Sequence, residues 1–557
     1  MRAKIIILFV LAISFIASAQ YIHKEIKAPI DIKSKATELG ITPQELQDIL
    51  KSSVANDGGG GMLPEAMQEK FFTGAVAGDN FGYTVSSAGD VNGDGYDDVI
   101  VGAPLNDAGG NNAGRAYIYY GGNIFNNVAD VILTGQNTND NFGMSVSSAG
   151  DVNGDGYADV IVGANGHSSS TGRAYIFYGG SPMNNVADVI MTGEAINDGF
   201  GNAVSNAGDV NGDGYSDVIV GATGNDTGGT DRGRAYIYYG GASMNNVVDL
   251  ILSGEAAGDN FGNAVSAAGD VNGDGFSDVI VGAWLNDGGG SDAGRSYIFY
   301  GGSPMNNVVD VTLTGAAATD WFGISVSTAG DLNDDGYADV IVGAPLNDGG
   351  GSDAGRAYIY YGGSPMNNVA DIILTGTAAV NWFGFSVSDA GDVNGDAFSD
   401  VVVGAFLNSA AGTNAGRAYL YWGGDTMDNF ADGIITGAAS FDFFGFSVSS
   451  AGDFNGDGYD DFIVGAYGND TNGSDAGRAY LYTNTLTGAD IADEFFTGAA
   501  SGDNLGISVS TAGDVNGDGY SDVIVGADLN DAVGINAGRA YIYILEEQVW
   551  ITQQMLY

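Results

Sequence analysis

A nine-residue pattern of oxygen-bearing side chains is the clearest chemical signal in the sequence. In its first copy, Asp90, Asn92, Asp94 and Asp98 stand at positions 1, 3, 5 and 9, and Tyr96 at position 7 offers its backbone carbonyl. Ca²⁺ prefers about six to eight oxygen ligands at roughly 2.3–2.6 Å, and a tight loop with oxygens at alternate positions supplies them. The pattern therefore predicts a calcium-binding loop, called the metal loop below.

The pattern occurs eight times, always with Asp at positions 1, 5 and 9 and Asn at position 3. A run of acidic turns is the alternative, but eight copies that keep all four oxygen side chains favour metal binding by up to eight Ca²⁺ ions. After the first copy, the predicted ligands are Asp151, Asn153, Asp155, Tyr157, Asp159, Asp209, Asn211, Asp213, Tyr215, Asp217, Asp270, Asn272, Asp274, Phe276, Asp278, Asp331, Asn333, Asp335, Tyr337, Asp339, Asp392, Asn394, Asp396, Phe398, Asp400, Asp453, Asn455, Asp457, Tyr459, Asp461, Asp514, Asn516, Asp518, Tyr520 and Asp522.

Two features of the loops separate them from an EF-hand and from one another. An EF-hand needs a Glu at position 12 and flanking helices, whereas position 12 here is Val101, inside a predicted strand. Asp334 replaces a Gly in the fifth loop, and Ala397 replaces the Gly that follows position 5 in the sixth. Ala397 is expected to strain its loop if its φ is positive.

The metal loops are carried by a unit that repeats eight times, and the elements of that unit must position them. Each copy begins at Phe-Gly, or at Leu505-Gly506 in the last, and consecutive copies lie 61 residues apart except for one interval of 58. Each contains four short stretches rich in Val, Ile, Tyr and Phe between turn residues, which predicts four antiparallel strands. The sequence thus predicts an all-β fold, a β-propeller of four-stranded blades.

Eight blades are predicted, with seven as the alternative. The last unit lacks its fourth strand, and Lys70–Gly74 closely matches Glu494–Gly498, which starts the fourth strand of the preceding unit. We therefore expect an N-terminal strand to complete the eighth blade and close the ring, which removes an open sheet edge.

The repeat resembles a known family. Phe-Gly, the metal loop, and Val-Gly-Ala-Pro at Val101–Pro104 and Val342–Pro345 are similar to the FG-GAP repeat of the integrin α-subunit N-terminal propeller. The resemblance covers residues 70–545. It implies a propeller, Ca²⁺ bound between the first and second strands of a blade, and a role in adhesion.

The remaining segments differ from the repeats. Residues 1–19 have a basic start, an apolar stretch and a small-residue cleavage site, which predicts a signal peptide and a secreted or cell-surface protein without a transmembrane segment after cleavage. Residues 20–69 are predicted to hold a short helix from Thr42 to about Lys51 and a Gly-rich linker. The repeats occupy 70–545, and 546–557 form a C-terminal tail.

Charge and composition exclude some functions. The formal net charge is −52, and residues 71–557 contain no Lys, so nucleic acid is not an expected partner. That segment has no Cys and one His, His167, which leaves few groups for catalysis and argues against an enzyme. A purely structural surface or matrix protein and a polysaccharide-active enzyme remain the alternatives to a binding module. The Arg of each Gly-Arg motif is expected to pair with a nearby carboxylate, such as the Asp two residues before Phe-Gly.

Aromatic residues break the near-identity of the repeats in neighbouring units. Where most units have Asn or Gly before Phe-Gly, three have Trp321, Trp382 and Phe443, and after Gly-Ala stand Trp284, Phe406 and Tyr467. Both sets are predicted on the face opposite the metal loops. We expect them to bind a protein or glycan ligand, and the alternative is that they fill the space between blades.

Overall fold

The computed structural model describes residues 67–122, 128–454, 458–471, 474–483 and 494–545. The chain divides into two units, 1–62 and 63–557. The predicted signal peptide, the predicted helix and linker, and the predicted C-terminal tail all lie outside the described residues. In the described part of the chain, no helix has the length and apolar character needed to cross a membrane.

The first blade shows how one repeat folds. Strands β2 (Thr84–Gly89), β3 (Asp98–Ala103), β4 (Arg115–Tyr119) and β5 (Val131–Thr134) pair antiparallel in that order. All six residues of β3 are buried, as expected for a β-branched run that is covered on both faces of the sheet. Buried and exposed residues alternate along β5. This alternation marks β5 as the outer strand of the blade, with one face covered and the other open to solvent.

The next six blades repeat this order, each with its four strands consecutive in the chain. The first strands are β6 (Ser145–Gly150), β10 (Val204–Gly208), β14 (Val265–Gly269), β18 (Val326–Gly330), β22 (Val387–Gly391) and β26 (Val448–Gly452). The second strands are β7 (Asp159–Ala164), β11 (Asp217–Ala222), β15 (Asp278–Ala283), β19 (Asp339–Ala344), β23 (Asp400–Ala405) and β27 (Asp461–Ala466).

The third and fourth strands of these six blades complete the sheets. The third strands are β8 (Arg173–Phe177), β12 (Arg234–Tyr238), β16 (Arg295–Phe299), β20 (Arg356–Tyr360), β24 (Arg417–Tyr421) and β28 (Arg478–Tyr482). The fourth strands are β9 (Val189–Thr192), β13 (Leu250–Ser253), β17 (Val311–Thr314), β21 (Ile372–Thr375), β25 (Gly433–Thr436) and β29 (Glu494–Thr497). One short helical turn, α1 (His167–Ser170), follows β7, and its three Ser residues have positive φ.

The eighth blade is completed from the other end of the described chain, as predicted. Strands β30 (Ser508–Gly513), β31 (Asp522–Ala527) and β32 (Arg539–Leu545) form three of its strands. Strand β1 (Met67–Thr73) pairs antiparallel with β32 over seven residues and is the fourth. The ring therefore has eight blades, and the alternative of seven is wrong.

The hydrophobic core lies between neighbouring blades. The cluster between the first two blades combines Ile100 and Leu133 of one with Phe142 and Val160 of the next. The Phe of each Phe-Gly is buried there, and Phe142 meets the ring of Tyr175 edge-on at 5.2 Å between centroids. First strands of adjacent blades contact one another, and β30 contacts β2. This packing holds the metal loops, between first and second strands, on one face of the ring.

Candidate functional site

Each metal loop is folded by its own oxygen side chains. In the first blade, one carboxylate oxygen of Asp90 accepts the N–H groups of Gly93 (2.7 Å) and Asp94 (3.2 Å). The other oxygen accepts the N–H of Gly95 at 2.9 Å. The two glycines have φ of 75° and 90°, which L side chains rarely adopt. The Asn92 side-chain oxygen accepts the N–H of Asp94 at 2.9 Å, so positions 1 and 3 together shape the turn.

Position 9 joins the loop to the blade beneath it. Asp98 is buried, and its two carboxylate oxygens accept the N–H of Val91 at 2.9 Å and of Gly121 at 2.8 Å. Burial raises the pKa of Asp98 to about 8, and the charges of Asp94 and Asp90 add to the increase against these hydrogen bonds. A carboxylate held in this way would be stabilised in its ionised form by a cation.

The same perturbation recurs around the ring. In five further loops, burial raises the pKa of the position-9 Asp to about 7, and the other two loop carboxylates contribute. These residues are Asp159, Asp217, Asp278, Asp339 and Asp400. Three carboxylates that repel one another in each of these loops fit a divalent cation by the chemistry of their donors, which are all oxygens.

The carboxylate oxygens of the loops nevertheless accept hydrogen bonds from backbone N–H groups. Among the described residues, no three carboxylate or imidazole groups stand close enough together to hold a metal ion as they are. Each carboxylate has about four acceptor positions, so an oxygen that accepts an N–H can still ligate. Asn455 and Asp457 of the seventh loop lie outside the described residues.

The two loops that depart from the pattern keep the backbone conformation of the others. Asp334 has φ of 55° and Ala397 has φ of 75°, so the condition under which strain is expected at Ala397, a positive φ, is met. The N–H of Ala397 still donates to Asp392 at 2.9 Å. The sixth loop therefore has the shape of its neighbours and carries a non-glycine residue in a left-handed conformation.

Neighbouring loops are tied together in a closed ring. The N–H at position 8 of each loop donates to the position-1 carbonyl of the preceding loop at 2.8–3.1 Å. The bond from Asp97 to Asp514 closes the circle. The position-7 ring of one blade also lies on position 4 of the loop before it, because a Cβ on Gly93 would be 2.3 Å from the Tyr157 ring. A change in one loop is thus felt by the next.

The opposite face carries the second-to-third strand loops and the Phe-Gly segments. Gly114, just before β4, bridges to Phe142 of the next blade, and the N–H of Asn139 donates to Asn111 at 2.8 Å. The six predicted ligand-binding aromatics lie in these segments, so the structure brings them to one face, away from the metal loops.

The predicted aromatics form one continuous row with two rings that the sequence analysis missed. Trp284, Trp321, Trp382, Phe406, Phe443 and Tyr467 follow one another with centroid distances of 4.8, 6.0, 5.6, 6.2 and 5.0 Å. Phe385 and Phe446 pack beside Phe406 and Tyr467, each at 4.8 Å. These eight residues are called the aromatic arc. Phe385 and Phe446 follow Phe-Gly directly, where a comparison of the repeats would have found them.

Three members of the aromatic arc have backbone conformations that bulky residues avoid. Trp321, Trp382 and Phe443 have φ of 56°, 53° and 55°. In most other units this position is Asn, for example Asn80 and Asn260, with φ of 52° and 53°. Asn tolerates this region, whereas a bulky residue there is an outlier, and strain of this kind clusters at binding sites.

The aromatic arc both fills space and reaches the surface. Phe406 is 7% exposed, and the other seven rings are half-buried. The rings therefore pack between blades, as the alternative holds, and also leave edges and faces open to solvent.

The repeated Asp before Phe-Gly has a different partner from the one expected. Asp79 accepts a hydrogen bond from the amide of Asn106 at 2.7 Å, while the Nε of Arg115 donates to Thr134 at 3.1 Å. Among the described residues, Arg234 pairs with Glu194 and Arg295 with Glu255, and each Glu follows the fourth strand of a blade. A neutral amide satisfies the buried Asp because two backbone N–H groups also donate to it.

The second blade has His167 at the position that Asn106 holds in the first blade. The ring of His167 is buried, and its Nδ1 lies 2.9 Å from a carboxylate oxygen of Asp140. His167 thus occupies a structural position of the repeat, and it lies apart from the aromatic arc.

The comparison with known proteins agrees with this architecture. The FG-GAP repeat family matches residues 81–119, 142–177, 200–238, 261–299, 322–360, 444–482 and 505–543. Those matches cover seven of the eight blades, and the remaining blade is the one whose loop contains Ala397. That blade nonetheless has the same four strands as the others.

Integrin α subunits are among the proteins similar to this chain. Integrin alpha-5 of Xenopus laevis is 32% identical over 236 residues, which cover 40% of this chain and 21% of that protein. Integrin alpha-PS2 of Drosophila melanogaster is 33% identical over 215 residues, which cover 36% of this chain and 15% of that protein. This chain thus spans about a fifth or less of the length of these relatives.

Among solved structures, the Dos1 propeller covers 86% of this chain and 95% of its own, with 12% sequence identity and a TM-score of 0.49. Eight blades of one repeated motif, seven of them matched by the family, make the chain an FG-GAP repeat protein with an integrin α-like β-propeller.

Proposed function

We propose that this protein is a secreted, calcium-binding propeller that acts as a non-catalytic ligand-binding or adhesion module. The metal loops bind Ca²⁺ and stabilise the ring on one face. The aromatic arc on the other face contacts a protein or a glycan. The signal-peptide pattern in residues 1–19 supports export.

The loop chemistry supports calcium as the resident ion. Asp at positions 1, 5 and 9, Asn at position 3 and the position-7 carbonyl would hold it, and the ion would supply charge neutralisation rather than catalysis. Eight divalent ions carry sixteen positive charges, which would change the formal charge of −52 to −36. This neutralisation gives the acidic composition a structural role.

Calcium would contribute a large part of the stability of the ring. Extracellular sites bind Ca²⁺ with dissociation constants of about 10⁻⁴–10⁻³ M. At ten times that concentration each site adds roughly 1.4 kcal/mol, so eight independent sites add on the order of 10 kcal/mol. That amount is comparable to the stability of an ordinary domain and replaces the disulfides that this Cys-free chain lacks.

The observation that carries the binding proposal is the left-handed backbone of Trp321, Trp382 and Phe443. Each of these residues costs backbone strain that Asn avoids in the sister units. In those units the blades pack together without an aromatic residue at this position, so packing alone does not require one. Three consecutive blades that accept this cost on one face indicate selection for exposed aromatic surface.

The test replaces Trp321 and Trp382 by Asn, the residue of the sister units. We expect the double variant to fold and bind calcium like the wild type, and to lose binding in a cell-binding assay and on a glycan array run with calcium. The matched control is Trp422→Tyr, because Tyr120, Tyr239 and other sister residues hold this position at the end of a third strand. Unchanged binding of the double variant to a confirmed partner would rule out the aromatic arc. Absence of any partner would favour a purely structural role.

A further inference from the structure

The Arg that begins each third strand can receive a carboxylate from the solvent side. In the third blade, Nη1 of Arg234 donates to both carboxylate oxygens of Glu194, at 2.8 and 2.6 Å. In the fourth blade, Nη1 of Arg295 donates to the carboxylate of Glu255. The two Glu side chains are 38% and 44% exposed, whereas the two Arg side chains are 15% and 20% exposed. These blades therefore show that a carboxylate at the surface reaches the guanidinium.

The sixth blade is the one blade whose Arg, Arg417, has lost the acidic residues that surround it in the sister blades. Three positions supply those residues: the Glu position just described, the Asp two residues before Phe-Gly, and an Asp in the loop before the third strand, which is Asp107 in the first blade. Each of the other seven blades has Asp or Glu at one or more of these positions. The sixth blade has Thr377, Asn381 and Ser409.

Both Asp positions lie close to the Arg in the sister blades. Burial raises the pKa of Asp79, and the charge of Arg115 acts against that increase. In the fourth blade, a Cβ added to Gly288, the residue after Asp287, would lie 2.1 Å from the guanidinium carbon of Arg295. Neutral residues at both positions therefore remove negative charge that lies next to the Arg elsewhere in the ring.

Arg417 is held in place without a carboxylate. Its Nε donates to Thr436 on the fourth strand at 3.0 Å, and the equivalent bond holds the Arg of the fourth blade. Among the described residues, no carboxylate forms an ion pair with Arg417. Thr377 is exposed, and its hydroxyl lies 3.4 Å from that of Tyr419, so the side from which Glu255 approaches in its blade faces solvent here. A partly buried cation without a counter-charge is costly, and a ligand carboxylate would remove that cost.

The segment that carries Thr377 also presents an apolar side chain to solvent. Val380 is 49% exposed and has φ of 59°, a region that β-branched residues avoid. Five of the sister units have Gly or Asn at this position, for example Gly78 and Gly258. Trp382 of the aromatic arc follows two residues later. An exposed apolar group near an uncompensated cation suits a ligand that carries a carboxylate among apolar groups.

Building on the proposed function, we propose that the boundary between the fifth and sixth blades binds a protein partner through a peptide segment with one acidic side chain among apolar ones. The acidic side chain pairs with the guanidinium of Arg417, in the place that Glu194 and Glu255 take in their own blades. An apolar neighbour in the peptide packs on Val380. A ligand with many negative charges is disfavoured, because the chain carries a formal charge of −52 and repels it. A segment with a single carboxylate meets much less of this repulsion.

The test uses the full, calcium-loaded chain and substitutions taken from sister repeats. Peptides are selected from a displayed random library, and the tightest binder is synthesised with its acidic residue and with the corresponding amide. Thr377→Glu supplies an internal carboxylate, as the third and fourth blades do, and Asn381→Asp restores the Asp of the sister blades. Ala316→Glu adds the same charge at the equivalent position of the fifth blade, where Arg356 keeps Asp320, and is the matched control. Affinities are measured by calorimetry.

The expected result is selection of peptides with Asp or Glu beside apolar residues. Their affinity should fall about tenfold in the amide form, in Thr377→Glu and in Asn381→Asp, and stay unchanged in Ala316→Glu. Equal binding of the acid and amide peptides, or of Thr377→Glu and the wild type, would overturn the inference, as would selection of no acidic peptide.

Two further outcomes separate this inference from the proposed function. A partner, or an acidic polysaccharide, that is lost in the Trp321→Asn, Trp382→Asn double variant but kept in Thr377→Glu would overturn the Arg417 site and leave the binding module intact. An acidic polysaccharide that is lost in Thr377→Glu, with no peptide selected, would overturn the protein partner. A cell partner that both the double variant and Thr377→Glu bind like the wild type would overturn the proposed function as well.

Discussion

Replacing Ala397 by Gly should stabilise the protein by about 0.5–1 kcal/mol. Ala397 has φ of 75°, and a left-handed conformation costs an L-residue roughly 1–2 kcal/mol. Gly loses about 0.4–1 kcal/mol more backbone entropy on folding, which offsets part of the gain. At the equivalent Gly275, an added Cβ would meet nothing within 4 Å. The methyl group therefore has no packing to lose, and the backbone term decides the sign.

The assay is urea unfolding of calcium-loaded protein, followed by the fluorescence of Trp422 and the other tryptophans. Trp422 directly follows β24 in the same blade as Ala397. A ring of this size can unfold in steps, so the midpoint of the transition is compared between variants. Gly275→Ala is the matched control in the fourth blade and should lower stability by a similar amount. A stability of Ala397→Gly equal to or below that of the wild type, alongside a destabilised Gly275→Ala, would refute the reasoning.

Three further predictions concern the metal loops. Removal of calcium with a chelator should lower the melting temperature steeply, and an unchanged value would contradict calcium binding. In chelator, the pKa values raised from 3.8 to about 8 at Asp98 and to about 7 at Asp159 mean that the folded state binds more protons than the unfolded state between these limits. The free energy of unfolding should therefore fall as pH rises from about 4 to about 8 and level off above that; a flat profile over this range would contradict the burial of these carboxylates. Asp270→Asn keeps one side-chain oxygen for the N–H groups of Gly273 and Asp274 and loses the acceptor of the Gly275 N–H. We expect it to remove more than one Ca²⁺ in calorimetry, because a distorted loop displaces the Asp270 carbonyl that accepts the N–H of Ala338 in the next loop; loss of one ion only would show that the loops are independent.

The fold could be predicted from the sequence because the same pattern of strands and turns occurs in eight successive repeats. A single copy of Val99–Val101 could be a strand or part of a buried helix, but its recurrence between turn residues settles the choice. The match of Lys70–Gly74 to Glu494–Gly498 identified the strand that closes the ring, which pairs with β32. Closure could be predicted because a strand without a partner must find an edge.

The site was less accessible from the sequence, for two physical reasons. Side-chain direction is not encoded in spacing, so the motif gave the donors of a metal loop but not the inward turn of Asp90 onto three backbone N–H groups. Pairing of buried charge was also misjudged. The rule that charges pair predicted an Arg for Asp79, whereas an amide and backbone N–H groups satisfy that carboxylate.

Identity among the repeats and difference among them have separate physical roles here. The positions that change least are those that every blade needs. The position-9 Asp that ties loop to sheet is present in all eight loops, the buried Phe of Phe-Gly is replaced only by Leu505, and the position-4 Gly on which a neighbouring ring lies is replaced only by Asp334. A change at any of them disturbs two blades, since the core lies between blades. The position directly before Phe-Gly, which is Asn in most units, differs from these. Its side chain can vary, provided that the residue tolerates a left-handed backbone. Trp321, Trp382 and Phe443 use that freedom on one side of the ring only. The nearly symmetric scaffold thereby acquires an asymmetric surface, and under the proposed binding role we expect the specificity of this propeller to lie there rather than in the eight metal loops.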